Sequence, residues 1–303
     1  MISMKKFRPK NIILSMLYRN YFFFLPDKMF LKLRYRLVFD KKLNLKTPKL
    51  FNEKIQWLKL YDRKDIYTMM VDKIEAKKYV ANIIGKEYIV PTLGIYNEFD
   101  DIDFNVLPKQ FVIKCNHDSD GLIICRDKSK LDIEAARKKI NRCLKRNYYA
   151  IGREWPYKNV KPKILIEEYM EDKKTKVLRD YKFFCFNGIP KIMYISEKSH
   201  TKDQKIAFFD MDYNQLDIKR TDYNNYEKLP NIPVNFEKMK KLAAVLAKKI
   251  CHLRVDFYEV NGKIYFGELT FHTGSGFISF EDDKWNLELG KLIDISKVNK
   301  NEK

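Results

Sequence analysis

Apolar positions recur along this chain with two different spacings, and the spacing predicts the element at each point. Apolar residues three and four positions apart predict helices over 52–62, 65–84, from Asp132 onward and over 235–251. Runs rich in β-branched and aromatic residues predict strands at QFVIKCN, LIICRD, KILIEEYM, LRDYKFFCFNG, IPKIMYISE and KIAFFDMD. Antiparallel strands mixed with helices predict an α+β fold rather than a doubly wound parallel sheet.

Single residues mark the ends of several of these elements. Gly85 is predicted to end the helix over 65–84, and Asn235 to cap the helix over 235–251. The segment EYIVPTLGIY is predicted to be extended, with Pro91 at an edge or bend. No repeat and no Gly/Ser-rich or Pro-rich linker divides the chain.

The last predicted element, RVDFYEVNGKIYFGELT, is a hairpin with one carboxylate in each strand. Asp256 and Glu268 lie on either side of an Asn261-Gly262 turn. With a two-residue loop, Asp256 lies opposite Gly267, and Glu268 points to the other face of the hairpin. With a three-residue loop that ends in a glycine bulge, both carboxylates share one face. The loop length is therefore expected to decide whether the hairpin can hold a cation.

Two carboxylates on one face would repel each other unless a cation lay between them. Oxygen ligands favour Mg²⁺ or Mn²⁺, with phosphate oxygens and water completing the coordination. Arg254 beside the pair could stabilise a phosphoryl group or an acyl-phosphate. The alternative is an exposed edge hairpin whose charges face solvent.

Further polar residues interrupt apolar strands upstream. Lys114 lies within FVIKCN and is either extended to solvent or directed at a bound anion. The polar loop HDSDG follows it and could fold over phosphates, and ILIEEYM ends in two glutamates and an aromatic residue. Asp180 and Lys182 alternate with aromatic residues in RDYKFFCF and share one face, where Lys182 is alternatively a surface residue.

Several function classes lack their motifs in this sequence. There is no GxxxxGK[ST], GxGxxG or GxSxG string, so the common nucleotide-binding and hydrolase signatures are absent. The five cysteines include no CxxC pair, which favours reduced thiols in the cytosol over a disulfide framework or a zinc site.

Positive charge is concentrated at the N-terminal end. Residues 1–50 hold thirteen lysines and arginines against two aspartates, a net charge of +11 out of +20 for the 303-residue chain. The apolar runs there are shorter than the roughly 20 residues of a spanning helix. The segment suits either the surface of an anionic membrane or a helical extension packed on the main domain. No RNP, zinc-finger or helix-turn-helix signature is visible, so no specific nucleic acid is expected.

In their order, these features resemble the ATP-grasp superfamily: a lysine-bearing strand with a flexible loop, an acidic hinge strand, and a closing R-x-D…G-E-x-T strand pair. More specifically, the chain is similar to the TupA-like ATP-grasp family, named for teichuronopeptide biosynthesis and found among bacterial surface-polysaccharide proteins. The matching strings lie within roughly residues 47–290 and are LFNEKIQWLKLYDR, VDKIEAKKYVANIIG, LPKQFVIKCNHDSDG, DYKFFCFNG and RVDFYEVNGKIYFGELTFHTGSG.

The resemblance implies an ATP-grasp fold in which two α+β subdomains grip ATP, preceded by a basic helical N-terminal extension. The implied divisions are 1–46 for the extension, 47–120 for the N-terminal part of the grasp domain, 121–296 for the part with hinge and metal-binding hairpin, and 297–303 for a polar tail. The implied cofactor-binding residues are Lys73, Lys114, His117, Ser119, Glu167, Glu168, Tyr169 and Asp180. Arg254 and Lys182 would be catalytic, and Asp256 and Glu268 would bind Mg²⁺.

The sequence departs from the family pattern at two places. Many ATP-grasp enzymes have asparagine two residues after the metal-binding glutamate, where this chain has Thr270. The loop HDSDG carries Asp118 and Asp120 where the family tends to have HGSG. Their charges would repel triphosphate oxygens unless the side chains turned outward or were bridged by a metal ion.

The function implied by the resemblance is an ATP-dependent ligase that activates a carboxylate as an acyl-phosphate for attack by an amine or another nucleophile. Its expected substrate is a bacterial surface polysaccharide or a precursor, acidic or lipid-linked, in the cytoplasm or at the inner face of the plasma membrane. One alternative is a glycosyltransferase or phosphotransferase, for which the string DMD at 210–212 would be a metal motif or a strand-to-turn boundary. Another is a catalytically degenerate scaffold.

Overall fold

The computed structural model describes residues 9–197, 199 and 201–298. Its helices are α1 (Pro9–Tyr18), α2 (Asp27–Phe39), α3 (Phe51–Tyr61), α4 (Asp65–Val71), α5 (Glu75–Ile84), α6 (Ile133–Leu144), α7 (Tyr148–Gly152), α8 (Phe236–Leu246) and α9 (Lys284–Leu292). Its strands are β1 (Thr92–Tyr96), β2 (Phe111–Cys115), β3 (Leu122–Cys125), β4 (Ile164–Glu168), β5 (Arg179–Phe186), β6 (Ile189–Glu197), β7 (Lys205–Asp210), β8 (Gln215–Leu216), β9 (Asn224–Asn225), β10 (His252–Val260) and β11 (Lys263–Thr270).

The strands form two sheets, and the predicted α+β class is confirmed. The small sheet has the order β1-β4-β2-β3, with every neighbouring pair antiparallel. The large sheet has the order β11-β10-β5-β6-β7-β8, and β9 runs parallel to β7. The predicted division between residues 120 and 121 falls in the loop that joins β2 to β3, two paired strands of the small sheet.

The two faces of the large sheet are covered differently. On one face, side chains such as Phe183, Val255 and Phe257 pack into a core with α5 and α8. On the other face, Phe184 and Phe186 pack against apolar residues of α3 and α9. Further along the strands, this second face carries charged side chains instead, and these form the candidate site described below.

The predicted helix over 65–84 is wrong in one respect, because the chain breaks between α4 and α5. Asp72 has an extended ψ of 112° and its Oδ1 accepts the N–H of Ile74 at 2.8 Å. This local side-chain bond competes with helix continuation. Asn116 donates to Asp72 Oδ2 at 3.0 Å, so the break is joined to the end of β2 and leaves Lys73 facing the loop there.

The start of α8 also differs from prediction. Asn235 precedes the helix, but its side chain makes no cap bond. Instead, Asn235 Nδ2 donates to Glu259 Oε1 at 2.5 Å and to the carbonyl of Gly262 at 2.9 Å. The helix also ends earlier than predicted, at Leu246. Asn235 therefore fastens α8 to the β10–β11 hairpin.

The N-terminal extension is helical, as predicted, over α1 and α2. Leu17, Phe30, Leu31 and Tyr35 are buried in a core that also contacts Leu60 and Phe277. Residues 1–8 and 299–303, which belong to the predicted extension and tail, lie outside the described residues. No helix in the described part of the chain is long and apolar enough to cross a membrane. All five cysteines are buried and free.

Candidate active site

The hairpin β10–β11 brings its two carboxylates opposite each other by a route that neither sequence alternative contained. The loop is the short one, since Val260 pairs with Lys263. The register then shifts beyond Phe257, so that Asp256 pairs with Glu268 and Gly267 is the extra residue. The bulge lies within β11 and not in the loop, and both carboxylates therefore share one face.

Gly267 makes this bulge possible through its small size. A Cβ at this position would lie 3.1 Å from the carbonyl oxygen of Asp256 and 3.3 Å from the ring of Tyr258. Such contacts are too close for an unstrained side chain, and an isolated glycine within a strand often marks a bulge for this reason. The isolated glycine in this strand is therefore a sequence signal for the bulge.

Arg254 bridges the two carboxylates. Its Nε and Nη2 donate to the two oxygens of Asp256, each at 2.7 Å, and Nη2 also donates to Glu268 Oε1 at 2.6 Å. Thr270 donates to the same Glu268 oxygen at 3.1 Å. The bidentate geometry fixes the guanidinium beside the pair.

Lys182 extends this charged row onto the next strand. It pairs in register with Asp256, and its Nζ lies 2.6 Å from Asp256 Oδ2 and 3.2 Å from Asp180 Oδ1. Ser199 donates to the other oxygen of Asp180. The predicted residues of the large sheet therefore form one continuous row, from Asp180 to Glu268.

Neighbouring charges and burial act in opposite directions on the residues of the row. Burial raises the pKa of Asp256 above its ordinary value, although Arg254 and Lys182 oppose that shift. Burial opposes the charge of Glu268, but Arg254, followed by Lys182 and Lys73, lowers the pKa of its carboxyl to about 2. Burial also opposes the charge of Lys182, yet Asp180 and Asp256 raise its pKa well above the ordinary value. Glu268 keeps 39% of its side chain exposed, whereas Asp256 keeps 1%. Glu268 is thus the accessible member of the pair.

A second charged group lies on the small sheet. Lys114 Nζ on β2 is 2.6 Å from Glu167 Oε2 on β4. Lys77 Nζ on α5 lies 2.5 Å from Glu167 Oε1 and donates to Thr92 Oγ1 at 2.8 Å. Burial opposes the charge of Lys114, but Glu167 raises its pKa above the ordinary value, and Glu268 contributes to the same shift. Glu268 of the large sheet and Lys114 of the small sheet therefore influence each other electrostatically.

The predicted phosphate loop is held by contacts at both ends. Lys73 Nζ donates to the carbonyl of Asp118 at 2.6 Å, and Ser119 Oγ lies 2.8 Å from the hydroxyl of Tyr148 on α7. The Oδ1 atom of Asp118 accepts the N–H of Gly121 at 2.9 Å, so this carboxylate folds back on its own loop.

Arg146 compensates the two unusual aspartates of the loop. It forms an ion pair with Asp120 and lies 4.0 Å from Asp118 Oδ2. The backbone carbonyl of Arg146 also lies 3.3 Å from His117 Nε2, and His117 is buried. Burial lowers the pKa of His117, which favours its neutral form. Of the outcomes expected for the aspartates, Asp120 shows the outward turn, with its side chain exposed beside Arg146, whereas Asp118 is buried and folded back on its own loop.

A polar stripe on α3 holds the segment that follows β11. Asn52, Gln56 and Lys59 are three or four residues apart and are fully buried. Each donates to a backbone carbonyl within 275–278, at 2.7–2.8 Å. Burial lowers the pKa of Lys59 to about 7. Residues of the string LFNEKIQWLKLYDR therefore hold the segment that follows β11, the strand of Glu268.

Comparison with known proteins identifies the architecture. The family model described as TupA-like ATPgrasp matches residues 53–294. The chain belongs to the TupA-like ATP-grasp family. The two sheets and their charged groups are thus those of an ATP-grasp fold.

Solved ATP-grasp ligases resemble the chain at low identity. D-alanine–D-alanine ligase from Helicobacter pylori is 16% identical, with 80% of this chain and 69% of that chain covered and a TM-score of 0.46. The Bacillus anthracis D-alanine–D-alanine ligase, complexed with ATP, is 17% identical, with 67% and 54% covered and a TM-score of 0.39. The chain thus spans little more than half of that ligase. D-cycloserine synthetase DcsG is 13% identical, with 76% and 67% covered and a TM-score of 0.37. No curated protein matches the sequence.

The predicted hinge residues of this ATP-grasp chain have three different environments. Glu167 is buried between Lys77 and Lys114, so its side chain positions lysines. Glu168 is exposed, and its N–H donates to the carbonyl of Pro91 at 3.1 Å. The hydroxyl of Tyr169 accepts from Arg126 at 3.2 Å. Only Glu168 therefore presents an open side chain at this end of β4.

Sequence reasoning missed three residues of the site. Lys77, Arg146 and Tyr148 contact predicted residues across 90, 26 and 29 positions of the chain, respectively. Lys77 follows Lys73 by one helical turn within VDKIEAKK, which is a weak signal. For Arg146 and Tyr148 the sequence offers none, because their roles arise from the packing of α6 and α7 on the loop.

Asp256 and Glu268 suit a magnesium ion in their donor chemistry, since both supply only oxygen. No group of three or more His, Cys, Asp or Glu side chains that could hold a metal comes together among the described residues. A bound ion would therefore need phosphate oxygens and water as further ligands.

The string DMD lies at a turn, where Asp210 Oδ1 accepts the N–H groups of Asp212 and Asn214 at 2.9 and 2.8 Å.

Proposed function

We propose that the protein is an ATP- and Mg²⁺-dependent ligase that joins a carboxylate to an amine or another nucleophile through an acyl-phosphate. The observation that carries this proposal is the pairing of Asp256 with Glu268, with Arg254 between them. Membership of the TupA-like ATP-grasp family supports it. Its expected substrate is a bacterial surface polysaccharide or a precursor, for example one that receives an amino acid.

In this proposal, the lysines of the two sheets bind the polyphosphate from opposite sides. Lys114 approaches from the small sheet and Lys182 from the large sheet, while Lys73 lies between α4 and α5 and contacts the β2–β3 loop. Glu167 holds Lys114 in its protonated form, which an anionic ligand requires. A magnesium ion held by Asp256 and Glu268 would neutralise phosphate charge when bound.

The first step transfers the γ-phosphoryl group. A carboxylate oxygen of the substrate attacks the γ-phosphorus, the bond to the β-phosphate oxygen breaks, and ADP leaves. In the second step, the nucleophile attacks the acyl carbon, the carbon–oxygen bond to phosphate breaks, inorganic phosphate leaves, and the nucleophile gives up its proton. Arg254, with its fixed guanidinium, stabilises the negative charge on the acyl-phosphate.

The chemical class of the acceptor is supported by charge. The chain has a net charge of +20, which would favour association with an acidic glycan or a lipid-linked acidic precursor. The family resemblance to surface-polysaccharide proteins points to the same class of acceptor.

Calorimetric titration with ATP, with and without Mg²⁺, tests the proposal. We expect micromolar binding that depends on Mg²⁺ and is abolished in Glu268→Ala. The matched control is Glu281→Ala, an exposed glutamate outside the row, which should bind like the unchanged protein. ADP release with paired carboxylates and amines then identifies substrates.

Two other outcomes would replace the ligase proposal. Binding of a sugar nucleotide without binding of ATP would indicate a glycosyltransferase. Failure to bind either nucleotide, in a protein that unfolds cooperatively, would indicate a non-catalytic scaffold.

A further inference from the structure

The N-terminal extension exposes an unusual density of large apolar side chains over a short part of the chain. We call it the aromatic surface, and its residues are Ile12, Met16, Tyr18, Tyr21, Phe23, Phe24 and Met29. These are seven of the nineteen exposed large apolar residues described, within eighteen positions of the chain. Phe23 and Phe24 are 70% and 66% exposed. Such a cluster marks an interaction surface, whereas apolar residues exposed singly do not.

The extension is not a loose tail, because its inner side is part of the folded molecule. Asp27 lies 2.8 Å from Arg63 at the end of α3 and accepts from Tyr149 of α7 at 2.6 Å. Phe277, which lies within the segment held by α3, contacts Tyr35 and Phe39 of α2. The aromatic surface is therefore held in a fixed position on the grasp domain.

Exposed basic residues lie among and just after these apolar residues along the chain. Arg19, Lys28 and Lys32 are exposed in the same part of the chain. The only acidic residues between 9 and 40 are Asp27, which is paired with Arg63, and Asp40, which is paired with Lys10. No acidic residue within 9–40 is thus left unpaired to neutralise the three basic residues.

We propose that the aromatic surface binds an anionic lipid bilayer. Its rings would enter the interfacial region, where aromatic residues are favoured, while Arg19, Lys28 and Lys32 contact the negative head groups. We propose a lipid surface rather than a protein partner because exposed apolar side chains together with charges of one sign match a bilayer with anionic head groups. This binding does not depend on the proposed ligase reaction.

Sedimentation of the full chain with vesicles tests the apolar part. Vesicles are made of phosphatidylcholine with and without phosphatidylglycerol. Phe23→Ser with Phe24→Ser should weaken binding to the anionic vesicles by about tenfold per ring. The matched control is Val106→Ser with Val234→Ser, two exposed apolar residues elsewhere, which should leave binding unchanged.

A second pair of variants tests the charges at equal net charge. Replacing Arg19, Lys28 and Lys32 by glutamine should weaken binding by about a hundredfold, at about 1 kcal/mol per charge. The control replaces Lys228, Lys241 and Lys248, which are exposed elsewhere on the molecule, by glutamine. It should weaken vesicle binding far less if the aromatic surface binds as proposed. Binding should also weaken with salt.

Three results would overturn the proposal. One is equal loss of binding in both charge variants, which would show only general attraction of a basic protein. Another is undiminished vesicle binding when Phe23 and Phe24 are replaced. The third is a dimer in lipid-free solution that these replacements dissociate, since the surface would then be a contact between copies.

Because the rings of Phe23 and Phe24 are exposed, the variant with both replaced by serine should keep the unfolding midpoint of the unchanged protein.

Discussion

Glu167 is the residue whose environment changes its interpretation most. It carries one negative charge between the ammonium groups of Lys77 and Lys114, at 2.5 and 2.6 Å. Burial lowers the pKa of Lys77, and Glu167 opposes that shift. Burial also opposes the charge of Lys114, while Glu167 raises its pKa. Glu167 therefore keeps both buried lysines protonated for a polyphosphate ligand.

Replacing Glu167 by glutamine should make ATP binding depend on pH. Without the carboxylate, burial lowers the pKa of both lysines, so they lose protons as the pH rises. We expect the affinity of Glu167→Gln for ATP to fall by about tenfold or more between pH 6 and pH 9, relative to the unchanged protein. Calorimetric titration at both pH values measures this.

The neighbouring glutamate supplies the control. Glu168→Gln removes the same charge from an exposed side chain at the end of β4, so its pH profile should follow that of the unchanged protein. If the profile of Glu167→Gln also ran parallel to it, Glu167 would have no role in lysine protonation. Breaking the buried pairs should also lower the free energy of unfolding of Glu167→Gln by about 3 kcal/mol.

At the scale of elements, the bulge in β11 determines which side chains meet. A regular ladder from the same short loop would place Asp256 opposite Gly267 and direct Glu268 to the other face. The added residue restores a shared face and brings Glu268 to Arg254 at 2.6 Å. The geometry of the pair therefore depends on the backbone at Gly267.

Gly267→Ala should disturb the pair. The added methyl group would lie 3.1 Å from the Asp256 carbonyl oxygen, so the strands must separate by a few tenths of an ångström. We expect a loss of about 1–2 kcal/mol in the free energy of unfolding and about a tenfold loss in Mg²⁺-dependent ATP affinity. Denaturant unfolding and calorimetric titration measure the two quantities.

Gly262→Ala distinguishes the effect of backbone strain from the effect of misplaced carboxylates. Gly262 has a φ of +74° and no atom within 4 Å of an added Cβ. Alanine there should cost about 1 kcal/mol of stability through backbone strain, with ATP affinity unchanged. Equal losses of affinity in the two alanine variants would mean that the bulge does not position the carboxylates.

The elements also show where sequence reasoning succeeds and fails. Period and composition predicted most helices and strands, and Asn261-Gly262 marked the position of the turn, although the sequence left open whether its loop has the two residues seen in the structure or three. These features depend on neighbours in sequence. The helix break at Asp72 and the bulge at Gly267 depend on bonds to Asn116 and on the closeness of Asp256, which lie on other strands or loops. Asp72 and Gly267 are local signals for a break and a bulge, but local pattern does not specify the distant partners that fix them.

At the scale of the whole molecule, the extension and the ATP-grasp domain share one core. Asp27 is the polar link between them, since its two oxygens contact Arg63 and Tyr149. Arg153, which directly follows α7, lies 3.8 Å from Asp27 and donates to the carbonyl of Phe22 at 3.1 Å. The extension should therefore unfold together with the rest of the molecule.

Asp27→Asn tests this coupling. Arg63 and Tyr149 donate to different oxygens of Asp27, and asparagine keeps only one of these acceptors and loses the charge. We therefore expect a loss of about 2 kcal/mol in the free energy of unfolding. The matched control is Asp40→Asn. Asp40 pairs with Lys10 but is 76% exposed, so its replacement should leave the free energy of unfolding nearly unchanged.

The readout distinguishes joint from separate unfolding. The tryptophans Trp57, Trp155 and Trp285 all lie outside the extension, whereas α1 and α2 contribute to the helical circular dichroism signal. If the molecule unfolds as one unit, Asp27→Asn should shift the fluorescence and dichroism transitions by the same amount. An early dichroism transition with unchanged fluorescence would instead mean that the extension unfolds alone, and that the aromatic surface is not fixed to the ATP-grasp domain.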